Sequence, residues 1–154
     1  RFNPNATAPE PPPAPDPRQR SLFGAAWTLG CLQHLAAGGA ASATFYEVAG
    51  PRGVQEGGVA FPLFHVLAAA CEFGGAEVLA AHTPDPQRIA ALALRAGGRL
   101  RILLANLTAE PQQVRLSGLG ATARIHTLAP HALMQLDEDI QESEDRIQDS
   151  AGAG

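Results

Sequence analysis

The first regular pattern of apolar and polar positions lies between residues 21 and 37. Apolar side chains recur there at three- and four-residue spacing, which predicts a helix with a wide apolar stripe. Ser21 is a suitable N-cap for this helix, and the pair Gly38-Gly39 is a suitable end. The pattern therefore predicts one helix of about four turns.

Three residues inside this helix carry further expectations. Gly24 and Gly30 would each weaken a helix by about 1 kcal/mol relative to alanine, so we expect both to pack closely against a neighbouring element. Trp27 lies near the edge of the apolar stripe. We expect its ring to pack in the core rather than to stack on a sugar.

Residues 42–71 form a second unit, and the interpretation of the chain depends on it. The run 43–47 (ATFYE) is too continuously apolar to alternate, which is typical of a parallel strand covered on both faces. A glycine-rich charged loop follows in residues 48–60, and a helix opens at Phe61-Pro62. Strand, charged loop and helix in this order indicate one unit of a parallel α/β enzyme.

The pattern changes at residue 77, where short apolar runs separated by turn residues begin. The candidate strands are 77–82, 89–95, 100–107, 113–116, 123–128 and 132–136. Such spacing predicts an antiparallel β-sandwich. Gly97-Gly98 predicts a hairpin, and simple alternation directs Arg99 and Arg101 outward from it.

The predicted fold class is therefore α/β plus all-β, divided into three parts. Residues 1–75 form the α/β part and include a proline-rich loop at 8–17, which cannot be helix or central strand. Residues 76–136 form the β-sandwich. Residues 137–154 are acidic and poor in aromatic side chains, and we expect a disordered tail.

Composition excludes several classes of function. The 154 residues include no lysine, the arginines are scattered and the net charge is −4, so we expect no nucleic-acid partner. No apolar run approaches about 18 residues and no leader begins the chain, so we expect no membrane partner and a cytoplasmic location. The composition does not reveal the oligomeric state of the protein. Because the sequence begins at Arg1, we expect a fragment of a longer protein.

The cysteines give no sign of a metal or cofactor. Cys31 and Cys71 each lie in an apolar helical run, where buried free thiols are the expected state. A zinc site or disulfide framework would need more cysteines or closer pairs. We therefore predict neither a metal nor a cofactor.

The candidate site lies where the predicted strand 43–47 ends. Glu47 is the candidate catalytic residue, because a carboxylate at a strand end can act as general base, nucleophile or acceptor for substrate hydroxyls. Residues 1–5 would end the preceding strand and open on the same rim. The candidate substrate-binding residues are Tyr46, Arg52, Arg1, Asn3 and Asn5.

Two interpretations of the Glu47–Arg52 pair stay open. Arg52 could bind a substrate carboxylate or oxyanion beside Glu47. Alternatively, the two side chains form an ion pair that only fixes the loop. Glu56, flanked by glycine, is expected to be solvated.

Several segments resemble, in order and at compatible spacing, the D-apionate lactonase family of bacterial apiose catabolism. They are RFNPNAT, DPRQ-x-SLFGAAWTLG, FYE-x-x-G-x-RGV, FPLFHVLA, GGAEVL and LRILLANLT. The resemblance covers residues 1–136. It implies a larger hydrolase of sugar lactones, acting on D-apionolactone, with a glycosidase-like TIM barrel followed by a β-sandwich. This chain would then hold the last two strand–helix units of the barrel, and we expect it to be inactive alone.

Two other functions remain compatible with the residues. One is a fragment of a retaining glycoside hydrolase, in which Glu47 would need a second carboxylate about 5 Å away. The other is a non-catalytic carbohydrate-binding or structural β-sandwich module. The sequence contains no G-x-S-x-G elbow, so a serine hydrolase is not indicated.

Overall fold

The computed structural model describes residues 14–119 and 122–140. A single 3-10 turn, Pro17–Arg20, leads into helix α1 (Leu22–Ala37), and helix α2 spans Pro62–Cys71. No helix in these two ranges is long and apolar enough to span a membrane.

Both helices begin and end close to their predicted limits. The Ser21 hydroxyl accepts a hydrogen bond from the Gly24 amide, and this cap starts α1. Pro62 occupies the first turn of α2, where its missing N–H costs nothing. The predicted pair of helices is confirmed.

The strands form three antiparallel groups. In chain order they are β1 (Gln55–Glu56), β2 (Val59–Ala60), β3 (Glu77–Leu79), β4 (Ile89–Ala96), β5 (Arg99–Asn106), β6 (Gln112–Leu116), β7 (Arg124–Leu128) and β8 (Leu133–Asp139). The main sheet has four strands in the order β3-β4-β5-β8, while β1-β2 and β6-β7 are separate hairpins. The predicted turn at Gly97-Gly98 joins β4 to β5, and both glycines have positive φ.

The main sheet buries a different apolar cluster on each face. On one face, Ala90, Leu92 and Leu103 pack with α1 and α2. On the other face, Ala91, Ile102 and Leu104 pack with side chains of the β6-β7 hairpin. The two helices therefore rest on one face of a β-sheet whose other face carries a second β layer, in the manner of a small sandwich.

The predicted strand at 43–47 is absent. Only an isolated bridge joins Glu47 to Gly53, and most of the run is exposed. A short apolar run becomes a covered parallel strand only where other strands lie beside it, and none of the described strands does. The prediction of strand structure at this place is therefore wrong for the described chain.

Three predictions about individual side chains were wrong. Arg101 is 3% exposed rather than outward, because the end of α2 covers that part of the sheet. Trp27 is 59% exposed rather than packed in the core. Cys71 is a free but exposed thiol at the last residue of α2, whereas Cys31 is half-buried.

The start of the predicted acidic tail also differs. Strand β8 continues to Asp139, because it pairs with β5 as far as Arg99. Asp137 also pairs with Arg101 on β5, and Glu138 pairs with Arg124 on β7 of the separate hairpin. Residues 141–154 lie outside the described part of the chain.

Candidate functional site

Glu47 and Arg52 form an ion pair in the loop between α1 and α2. Arg52 Nε donates a hydrogen bond to Glu47 Oε1 at 3.0 Å, and Arg52 Nη2 lies 2.9 Å from the same carboxylate oxygen. The side chains are 53% and 39% exposed for Glu47 and Arg52 respectively. The pair is therefore open to solvent and to a ligand.

The backbone of the loop brings this pair together. The Val54 amide donates to the Glu47 carbonyl at 3.0 Å, and the Gly50 amide donates to the Gln55 carbonyl at 2.9 Å. A Cβ atom at Gly53 would lie 2.6 Å from the backbone of Ala49. Only glycine lets the chain fold back closely enough for Arg52 to reach Glu47.

Tyr46 faces helix α1 and fixes the start of the loop. Its hydroxyl lies 2.8 Å from Thr28 Oγ1, which lies 2.7 Å from the Gly24 carbonyl oxygen. Because the carbonyl can only accept, the Thr28 hydroxyl donates to it, and the Tyr46 hydroxyl must donate to Thr28. Tyr46 also has a φ of 49°, a left-handed conformation that is strained for a tyrosine.

Two contacts that the sequence did not reveal hold the far side of the loop. Arg20 Nη1 lies 2.7 Å from Glu56 Oε2, and Gln19 Nε2 donates to the Gly53 carbonyl at 2.7 Å. Glu56 is therefore paired as well as half-exposed, which corrects the expectation that it would be only solvated. The partners are more than 30 residues apart, and no local pattern signals such a contact.

The structure thus brings together part of the predicted site. Tyr46, Glu47 and Arg52 share one loop, with Tyr46 turned to α1 and the other two side chains paired. Arg1, Asn3 and Asn5 lie outside the described residues. Among residues 14–119 and 122–140, no three His, Cys, Asp or Glu side chains are grouped so as to hold a metal ion.

An exposed ion pair of this kind can offer a carboxylate and a guanidinium to one ligand. The carboxylate can accept a proton or a hydroxyl hydrogen bond, and the guanidinium can stabilise negative charge on oxygen. The Tyr46 hydroxyl donates its hydrogen to Thr28, so it can only accept a hydrogen bond from a ligand.

Comparisons with known proteins give two matches in different parts of the chain. Residues 1–75 match the family model described as D-apionate lactonase, TIM barrel domain. Residues 86–148 match the family model described as D-apionate lactonase, C-terminal immunoglobulin-like domain. No curated protein and no solved structure matches the chain.

Proposed function

This chain belongs to the D-apionate lactonase family, and we propose that it supplies the carboxyl-terminal part of an enzyme that hydrolyses D-apionolactone to D-apionate. The family membership supports a lactone substrate. The antiparallel sheets agree with an immunoglobulin-like domain, which is a β-sandwich.

Residues 1–75 would contribute the last two strand–helix units of the barrel. A (β/α)8 barrel needs about 200 or more residues and eight such units. The matched 75 residues contain α1 and α2, so the other units of a barrel must come from elsewhere. In this proposal 76–136 is the accessory domain, and the run 43–47 becomes a strand when other barrel strands lie beside it.

In the proposed reaction, Glu47 acts as general base on a water molecule. The water oxygen bonds to the lactone carbonyl carbon, and its proton passes to the Glu47 carboxylate. The ring C–O bond then breaks, and the proton moves from Glu47 to the departing ring oxygen, which leaves a hydroxyl and a carboxylic acid. The carboxylic acid releases its proton to solvent and becomes the carboxylate of D-apionate. Arg52 stabilises the negative charge that develops on the carbonyl oxygen.

The main support for this proposal is the ion pair between Glu47 and Arg52, which is partly exposed to solvent. A surface ion pair contributes only about 0–1 kcal/mol, so a substrate oxygen can replace Glu47 beside Arg52 at little cost. The contact of Tyr46 with Thr28 supports the same role, because it fixes the residue next to Glu47 against a helix. Arg1, Asn3 and Asn5 would bind substrate hydroxyls from the neighbouring strand end.

The decisive experiment compares Glu47→Gln with Glu56→Gln in the enzyme assembled with a complete barrel. Loss of a general base lowers kcat by about 10²–10⁴-fold, so Glu47→Gln should lose that much D-apionolactone hydrolysis. Glu56, in the same loop but paired with Arg20, is the control and should retain activity within about threefold. Wild-type activity of Glu47→Gln would remove Glu47 from the mechanism.

A nitrophenyl glycoside serves as the second substrate in the same assay. A retaining glycoside hydrolase would be favoured if the assembled enzyme hydrolyses the glycoside but not the lactone, and if the Glu47→Gln variant loses the glycoside hydrolysis.

A further inference from the structure

An apolar groove runs along one side of helix α1, and Phe45, from the loop that carries Glu47 and Arg52, lines part of it. It has a volume of about 730 Å³. The lining side chains that matter here are Phe23, Trp27, Cys31, Leu35, Phe45 and Leu107. Phe23, Trp27 and Cys31 follow one another at four-residue spacing on α1, so they form one continuous stripe along the helix.

Helix α1 has the composition of a helix that is covered on every side. Its 16 residues include no Asp, Glu, Lys or Arg, and apolar side chains lie all around its axis. Such a helix is normally buried all round. Yet Trp27 and Leu35 are 59% and 40% exposed.

Three sides of α1 are already occupied. Helix α2 covers one side, where Leu29 and Leu63 share an apolar cluster. The main sheet covers the second, where the Ala91 amide donates to Gln33 Oε1 at 2.9 Å. The loop residue Tyr46 covers the third through Thr28. The groove lies on the remaining side, and in the described ranges of the chain no other helix or strand packs across it.

We infer that this groove binds a helix of the remaining TIM barrel, packed against α1 on the side opposite α2. The inference rests on the proposed role of residues 1–75 as part of a barrel. In a (β/α)8 barrel the helices form a ring, so each one has a helix on either side. Helix α2 occupies one of these positions for α1, and the groove lies at the other.

The length and lining of the groove also determine which side chains a helix bound there must present. The stripe from Phe23 to Leu35 spans 12 residue steps, or about 18 Å, which matches about three helical turns. An occupant helix must present apolar anchors at three- and four-residue spacing to contact it. Because no Asp, Glu, Lys or Arg lines the groove, and its polar lining side chains are His34 and Gln87, a charged anchor would be buried without an oppositely charged carboxylate, ammonium or guanidinium beside it.

Trp27 makes the inference directly measurable, because it is the only tryptophan in the chain. The probe is a tryptophan-free polypeptide carrying the other six strand–helix units of a barrel of this family. Adding it to the full chain should shift Trp27 fluorescence to shorter wavelength and reduce quenching by iodide, and the complex should be detected by light scattering.

Leu35→Glu tests the groove, and Ile125→Glu is the matched control. Ile125 is also apolar and exposed, at 66%, but it lies on β7 and does not line the groove. A buried unpaired carboxylate costs more than 1.4 kcal/mol, so Leu35→Glu should weaken binding of the probe by about tenfold or more. Ile125→Glu should leave binding within about twofold.

The outcomes separate this inference from the proposed function. Lactone hydrolysis by a complex in which Trp27 fluorescence is unchanged would overturn the groove as the docking surface and leave the function standing. A fluorescence shift in a complex without lactone hydrolysis would support the groove and contradict the function. A shift that grows with the concentration of the chain alone would show that a second copy occupies the groove, and would overturn the inference.

Discussion

Arg101 and Asp137 form a two-pronged ion pair between adjacent strands β5 and β8. The Arg101 Nε and Nη2 atoms lie 2.7 and 2.8 Å from the two carboxylate oxygens of Asp137. Arg101 also donates to the Ala69 carbonyl and to Glu72 at the end of α2, and its guanidinium lies 4.6 Å from the centre of the Phe73 ring. One buried side chain therefore ties the helical part of the chain to the sheet.

Arg101→Met should destabilise the chain strongly. The variant loses several charge-assisted hydrogen bonds and the contact with the Phe73 ring, and we expect the free energy of unfolding at pH 7 to fall by about 2–4 kcal/mol in urea titrations. Arg95→Met is the control, because Arg95 pairs with Glu77 on the surface and should cost at most about 1 kcal/mol. Equal losses would show that Arg101 does not connect the two parts.

Acid should remove part of this stabilisation. Hydrogen bonds from Arg101 lower the pKa of Asp137 to about 2, below its value of about 4 in the unfolded chain. The contribution is therefore fully present above pH 4 and is lost as the pH falls from about 4 through about 2. Because Asp137 is 40% exposed, we expect a discounted effect of about 1 kcal/mol.

The pH dependence is measured by urea unfolding between pH 2 and 7. Asp137→Asn should be less stable at pH 7 and should show a flatter decline below about pH 4 than the wild type. An unchanged decline in Asp137→Asn would assign the acid sensitivity to other carboxylates.

Gly24→Ala and Gly30→Ala in helix α1 should change stability in opposite directions. A Cβ at Gly24 would lie 2.5 Å from the Arg18 carbonyl oxygen, whereas one at Gly30 would meet Leu107 at 3.8 Å, an ordinary contact. Gly24→Ala should therefore lower the thermal midpoint, while Gly30→Ala should stabilise the chain by about 0.5–1 kcal/mol. A stabilising Gly24→Ala would contradict the observed close approach of the 3-10 turn to α1.

Asn106→Leu should also destabilise the chain, because Asn106 is fully buried and joins three backbone segments. Its Nδ2 donates to the Glu110 and Ala129 carbonyls at 2.6 and 2.9 Å, and its Oδ1 accepts from the Thr108 amide at 2.9 Å. We expect a loss of about 2–4 kcal/mol, since buried backbone groups lose their partners. Gln113→Leu, on an exposed position of β6, should stay within about 0.5 kcal/mol.

Features set by local sequence could be predicted. Ser21 and Pro62 mark the starts of the two helices, and Gly97-Gly98 marks a hairpin, because caps and turns depend on the residues that form them. The expected close packing at Gly24 is confirmed, but Gly30 has room for a methyl group. The antiparallel strands after residue 77 also follow from their spacing.

Features set by distant contacts could not be predicted. Alternation directs Arg101 outward, but it carries no information about helix α2, which covers it. The strand expected at 43–47 requires neighbouring strands that the described residues do not supply. The ion pair of Glu56 joins it to Arg20, 36 positions earlier, and nothing in the glycine-rich loop indicates that partner.

Within the site, the sequence predicted the proximity of Glu47 and Arg52 but not the use of Tyr46. A five-residue separation across glycines lets the two charged side chains meet. The direction of Tyr46 depends on a positive φ and on a hydroxyl in α1, which a single sequence does not reveal. The lack of Asp, Glu, Lys and Arg in α1 is the feature of the sequence from which an uncovered apolar surface around Trp27 could have been predicted.

The most direct test of the account is lactone hydrolysis by this chain with and without the rest of a barrel. D-apionolactone hydrolysis is followed by the acid released, first with the chain alone, then with the six-unit barrel polypeptide alone, and then with both. We predict hydrolysis above the buffer rate only when both are present, because neither polypeptide alone supplies eight strand–helix units. Hydrolysis by the chain alone at the rate of the mixture, or none from a mixture in which Trp27 is shielded, would contradict the account.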